Sequence, residues 1–100
     1  FHLLVSFKYH VRSSVNFLLM ASSEGYVKND HELYEKANVA LINSFFYMAL
    51  IYQHGIGVTN DPEQSVDFFE ARNECINRIE QINEYKKVTK PLSSTKKPLF

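Results

Sequence analysis

A short segment rich in turn-forming residues divides the apolar part of this chain into two helical patterns. The segment is Gly55-Ile56-Gly57-Val58-Thr59-Asn60-Asp61-Pro62. Glycine adopts positive φ angles without steric cost, so Gly55 and Gly57 suit the end of a helix and a sharp reversal. Asp61 is a good N-cap, and Pro62 fits the first helical position, where no amide donor is needed. The segment therefore predicts two antiparallel helices packed as a hairpin.

Residues on both sides of this segment follow the pattern of a known repeat. Met48-Ala49-Leu50-Ile51-Tyr52 precedes the glycines, Val58 follows Gly57, and the next helix carries Ser65, Val66, Phe68 and Phe69. Over residues 37–75 this pattern resembles the Sel-one-like repeat family of tetratricopeptide-like helical hairpins. The resemblance implies an all-α chain of α-solenoid type that binds proteins. It also implies that Gly55, Gly57, Val58, Asp61 and Pro62 form the structural loop and cap.

A second, weaker copy of the repeat lies upstream. Ser14-Val15-Asn16-Phe17 matches Ser65-Val66-Asp67-Phe68, which is internal evidence for repetition. We interpret residues 13–25 as the second helix of a preceding degenerate repeat. The copies are roughly fifty residues apart, whereas such repeats have a period of about 34 residues. The middle helix is therefore expected to carry an insertion, and the last helix to act as a C-terminal cap.

Periodicity and capping signals predict about three helices. The first runs from about Leu3 to Ser23, with or without a break at residues 12–14. The second begins near Asn29 or Asp30, in an N-x-x-E capping box that ends at Glu32, and continues to about His54. The third runs from Pro62 to about Val88. Together they form one α-helical repeat domain at residues 1–88.

Residues 89–100 are predicted to form a basic, extended tail, because two prolines interrupt a segment with no apolar period. This tail is interpreted first as an ordinary solvated terminus, and alternatively as a segment that contacts an acidic groove of a partner or an anionic membrane surface. Its apolar residues would order on a neighbouring subunit. The candidate partner-binding residues of the tail are Lys90, Lys96, Lys97 and Phe100.

Residues 39–52 of the middle helix are apolar at nearly every position. A helix that is apolar all round must be buried all round, and a three-helix domain covers only one side of it. We therefore expect the remaining face to bind a permanent protein partner. Alternatively, the first helix folds over this face, or the segment enters a membrane, although the run is shorter than the roughly twenty residues of a span. The candidate partner-binding residues here are Leu41, Ile42, Phe45, Phe46 and Tyr47.

Composition and chemistry limit the functional classes. Lys plus Arg and Asp plus Glu both number 11, so no net charge attracts nucleic acid, and we expect no nucleic-acid partner. The single cysteine, Cys75, excludes an internal disulfide framework and is expected to be a small buried residue. The four histidines form no metal-binding motif. We therefore expect no metal, no cofactor and no enzymatic activity.

The sequence predicts a non-catalytic scaffold or accessory subunit whose stable partners are other protein subunits of a larger complex. Alternatives are a transient adaptor or a fragment of a longer repeat protein, in quality control or signalling, and a membrane-associated subunit. The sequence begins with Phe1 and lacks the features of a secretory signal peptide. We therefore expect an intracellular protein, either truncated from a longer one or imported into an organelle such as the mitochondrion with loss of a targeting segment.

Overall fold

The computed structural model describes the backbone of residues 2–94 and the side chains of residues 3–87. This part of the chain contains three α-helices and no strand: α1 at His2–Val27, α2 at His31–His54 and α3 at Pro62–Ser94. The prediction of an all-α chain is confirmed.

A three-residue turn joins α1 to α2. Asn29 in this turn has a φ of 56°, a left-handed conformation that asparagine adopts more readily than most residues. Asp30 is the N-cap of α2, and its Oδ1 accepts a hydrogen bond from the backbone amide of Leu33 at 3.1 Å. The predicted capping box with Asn29 as its first residue is therefore wrong by one position, because Asn29 reverses the chain.

Helix α1 has no break at residues 12–14 and ends at Val27 instead of Ser23. Val11 and Val15, on either side of that stretch, are both buried. Their packing against α2 holds the intervening serines in helical conformation, although serine by itself favours caps and turns.

The segment between α2 and α3 reverses the chain through its glycines. Gly55 is the C-cap of α2, with φ 66° and ψ 44°, and Gly57 has a φ of 71°. Asp61 accepts a hydrogen bond at Oδ1 from the backbone amide of Gln64 at 3.1 Å, and Pro62 is the first residue of α3. Val58 packs against the core, so the loop is fixed on the end of the helical pair.

Helix α2 lies between α1 and α3 and is antiparallel to both. Ser22 near the end of α1 and Arg78 of α3 both bond to Asn38 near the start of α2, whereas Ser65 at the start of α3 bonds to Ala49. The described molecule measures 58 × 21 × 19 Å. Its hydrophobic core contains Val11, Val15, Leu41, Phe45, Met48, Ile51 and Cys75.

Helix α3 continues to Ser94, so the prediction of an extended tail is wrong for residues 89–94. Pro91 removes one amide donor, but a helix that has already formed needs only to propagate past it. Residues 95–100 lie outside the described residues, and with them the predicted contact residues Lys96, Lys97 and Phe100. The side chain of Lys90 also lies outside the described side chains.

Candidate partner-binding surfaces

Some residues of the apolar face predicted on α2 are buried in the core, and others are exposed at the surface. Leu41 is fully buried and Phe45 is 7% exposed, and both belong to the core. The prediction that these two residues contact a partner is wrong, because residues of α1 and α3 pack over them. Ile42 is half-buried against the same core. Phe46 and Tyr47 keep 37% and 49% of their surface exposed.

Neighbouring helices cover part of both exposed rings. The ring of Phe46 meets that of Phe69 edge-on at 6.2 Å, and the Arg72 guanidinium lies 5.4 Å from its centre. The ring of Tyr47 meets that of Phe7 of α1 edge-on at 6.3 Å. The alternative in which the first helix folds over α2 is therefore realised in part.

Most of the exposed large hydrophobic side chains belong to α1. We define the outer face of α1 as Tyr9, Phe17, Met20 and Val27, which lie on the side opposite the buried Val15. Their exposed fractions are between 59% and 75%. Single exposed apolar residues are ordinary, but several along one helix mark an interaction surface.

The sequence does not predict this outer face, because it leaves open which side of α1 packs on α2. The internal repeat carries the only signal. Phe68 of α3 stacks on Tyr52 of α2 with ring centres 5.8 Å apart. Phe17 holds the corresponding position in α1 but is 70% exposed. Helix α1 packs on α2 through Val15 instead. The side of α1 with Phe17, which corresponds to the packing face of α3, is therefore exposed in the described chain.

Two buried polar side chains, Asn38 and Ser22, and the half-buried Arg78 connect all three helices. Asn38 of α2 is 0% exposed, and its Nδ2 donates hydrogen bonds to Ser22 Oγ at 2.9 Å and to the Tyr34 carbonyl at 2.8 Å. Its Oδ1 accepts a hydrogen bond from Arg78 Nη1 at 3.2 Å. The amide thus has partners on both atoms, as a buried polar group requires.

A groove runs between α1 and α3, with α2 as its floor. It consists of two adjoining hollows of about 270 and 440 Å³, both lined by Leu19. Arg12 lies beside the first hollow and Arg78 beside the second, and no acidic side chain lines either. The other lining residues are Val15, Asn16, Phe45, Met48, Gln64 and Phe68 in the first hollow, and Ser22, Ser23, Tyr26 and Tyr34 in the second.

The lysines before the tail are engaged within the fold. Lys86 Nζ lies 2.8 Å from Glu35 Oε1 of α2, and Lys87 Nζ lies 3.9 Å from Glu84 of its own helix. Both lysines therefore have an acidic neighbour. Glu84 is three residues away in the same helix, whereas Glu35 is 51 residues away in the sequence and is brought close only by the fold.

Cys75 is poorly suited to act as a nucleophile. It is 1% exposed. Burial raises the pKa of its thiol above the ordinary value, the Arg78 charge acts in the opposite direction, and Glu74 adds to the increase. A buried neutral thiol is unreactive, because the thiolate is the nucleophilic form.

In the described residues, no three His, Cys, Asp or Glu side chains are grouped so that they could hold a metal ion. Likewise, none of the described helices combines the length and apolar character needed to cross a membrane. Comparison of the chain with models of protein families, with curated proteins and with solved structures finds no match. The resemblance to Sel-one-like repeats therefore stays a prediction from the sequence, and function must be inferred from the surfaces.

Proposed function

We propose that this protein is a non-catalytic interaction module that binds another protein subunit through the outer face of α1. The observation that carries the proposal is the exposure of Phe17 and Met20, at 70% and 72% of their surface, on one side of a long helix. Within this proposal the hairpin at residues 37–75 is a repeat of Sel-one-like, tetratricopeptide-like type. Helix α1 is then the second helix of a preceding repeat.

Contacts in α3 support a helix as the structure that the partner presents. Ser65 Oγ donates a hydrogen bond to the Ala49 carbonyl at 2.9 Å, and Phe68 stacks on Tyr52 one turn further along α2. In the same repeat position, Ser14 and Phe17 offer a hydroxyl donor and an aromatic ring to a helix that packs on α1.

The energy available at this face fits a lasting contact. Full burial of a Phe or Met side chain contributes about 1.5–3 kcal/mol. Helix α1, with 26 residues, is about 39 Å long, which is enough for one side of a standard interface of about 800 Å². Such a partner is a subunit of a stable complex rather than a ligand that binds transiently.

Site-specific photo-crosslinking in the native cell tests the proposal. A benzophenone amino acid in place of Phe17 is expected to crosslink to a single defined protein, and the same group in place of the exposed Gln81 of α3 serves as the control. The double variant Phe17→Ser, Met20→Ser is expected to lose co-purification of that protein while it keeps the helical circular dichroism spectrum. Equal crosslinking from both positions, or none from position 17, would contradict the proposal.

A further inference from the structure

The groove between α1 and α3 has the length of a short extended peptide. Along α1 it reaches from Arg12 to Tyr26. At 1.5 Å per helical residue this distance is about 21 Å, which an extended chain covers with about six residues at about 3.3 Å each.

The charges at the groove are of one sign, although the chain as a whole is neutral. Arg12 forms no ion pair with any described residue. Arg78 pairs with Glu74, but at the long distance of 3.9 Å and with a Glu74 side chain that is 72% exposed. An exposed pair at this distance contributes little, and Asn38 accepts a hydrogen bond from Nη1 of Arg78 only, so both guanidinium groups keep donors for a carboxylate. In the part of the chain that the structure describes, no acidic residue lines either hollow, and Glu74 is paired with Arg78 alone.

The remaining lining suits the backbone and the apolar side chains of an extended segment. Asn16 of α1 and Gln64 of α3 lie on opposite walls of the first hollow. Leu19 and Phe68 lie about one turn further along the same two helices, toward the second hollow. Side-chain amides can pair with free backbone N–H and C=O groups, which an extended chain presents and a helix does not. An extended peptide therefore fits this groove better than a helix does.

We propose that this groove binds an extended segment of a partner protein in which acidic residues flank two or three apolar ones. One carboxylate pairs with Arg12 and the other with Arg78, and the apolar side chains pack on Leu19 and Phe68. The groove lies beside Val15 and Leu19, away from the outer face of α1, so this proposal does not depend on the function proposed above.

Selection of random heptapeptides displayed on phage tests the groove directly. Against the whole chain, the selected peptides are expected to have Asp or Glu at both ends of an apolar centre. Against Arg12→Glu, one acidic end is expected to change to Lys or Arg. Against Lys36→Glu, a charge reversal at an exposed site of α2 outside the groove, the selected sequences are expected to stay unchanged.

Fluorescence anisotropy with one selected, labelled peptide measures the contribution of Arg12. Arg12→Glu is expected to weaken binding about tenfold or more, and higher salt is expected to weaken binding to the unmodified chain. The Phe17→Ser variant is expected to bind as tightly as the unmodified chain. Three outcomes would each overturn the proposal. They are selected peptides that lack acidic residues, equally tight binding by Arg12→Glu and by the unmodified chain, and loss of binding by Phe17→Ser.

Discussion

Asn38 is the residue at which the three helices meet. Its side chain bonds to Ser22 of α1, to the backbone of Tyr34 and to Arg78 of α3. Because a buried amide without partners is costly, only one axial position of each neighbouring helix satisfies it. Hydrophobic contacts such as those of Val11 and Val15 tolerate sliding more easily. We infer that Asn38 sets the register of both α1 and α3 along α2.

Replacement of Asn38 by alanine is expected to lower the free energy of unfolding by about 2–3 kcal/mol. The change leaves Ser22 Oγ and Arg78 without a buried partner and removes the packed amide. Urea denaturation followed by circular dichroism measures the effect. Asn43→Ala, at an exposed position of the same helix, is the matched control and is expected to change stability by less than about 0.5 kcal/mol. Similar values for both variants would contradict a structural role for the network.

Cys75 makes stability depend on pH in the alkaline range. Burial raises the pKa of its thiol above the ordinary value of a cysteine, so the unfolded chain loses the thiol proton at a lower pH than the folded chain does. The contribution of the neutral thiol is complete below the pKa of the unfolded state and is lost as the pH rises through the folded value. The unfolding free energy of the protein is therefore expected to fall above about pH 9.

Comparison with Cys75→Ala separates this effect from every other effect of alkaline pH on the protein. The difference in unfolding free energy between the two proteins is expected to be constant between pH 7 and 8 and to shrink at higher pH. A thiol reagent at pH 7.5 is expected to react with the native protein only as fast as the protein opens. A fast reaction, or a constant difference up to pH 11, would show that the thiol is not buried as described.

At the scale of elements, glycines fix where the helices approach each other. A Cβ atom on Gly25 would lie 2.7 Å from the backbone nitrogen of Tyr34, so α1 and α2 cross at a position that only glycine allows. A Cβ atom on Gly57 would lie 2.6 Å from the carbonyl oxygen of Leu4. The loop between α2 and α3 is therefore also the site where the first turn of α1 docks.

Gly57→Ala is expected to destabilise the protein more than Gly55→Ala. Both substitutions force alanine into a positive φ, which costs about 1–2 kcal/mol. At Gly57 the added methyl group also displaces the backbone of α1, whereas at Gly55 the nearest atom is the Val58 carbonyl oxygen at 3.1 Å. Thermal unfolding ranks the two variants, and faster hydrogen exchange at residues 5–8 of the Gly57 variant would locate the effect. Equal melting temperatures would indicate that α1 does not dock on the loop.

At the scale of the whole molecule, α2 is the most buried helix along its centre, whereas residues 83–87 of α3 are exposed. The central residues of α2 include Leu41, Met48, Ala49 and Ile51, all at most 1% exposed. Lys86 of α3 reaches Glu35, close to the start of α2, and residues 83–87 around it are all exposed. Helices gain most of their stability from packing rather than from propensity, so the stability of α3 is expected to decrease toward its C-terminal end.

Hydrogen exchange followed by mass spectrometry is expected to show this gradient. Backbone amides at residues 41–51 should exchange most slowly, through global unfolding, and those at residues 83–87 should exchange by local opening and at least tenfold faster. Glu35→Gln removes the partner of Lys86 and is expected to speed exchange at residues 83–87 without a change at residues 41–51. Uniform protection along α3 would contradict the gradient.

The sequence by itself determined the helical class, the end of the second helix and the start of the third. The signals for those ends, Gly55, Asp61 and Pro62, act through contacts with residues only a few positions away, so the local sequence contains them in full. Burial, in contrast, depends on residues far apart in the chain. Only the tertiary structure decided that Leu41 and Phe45 are covered, and that Phe17 is open. The reason is that either side of α1 carries apolar residues, and the contacts of Val11, Val15 and Ser22 with α2 select one of them.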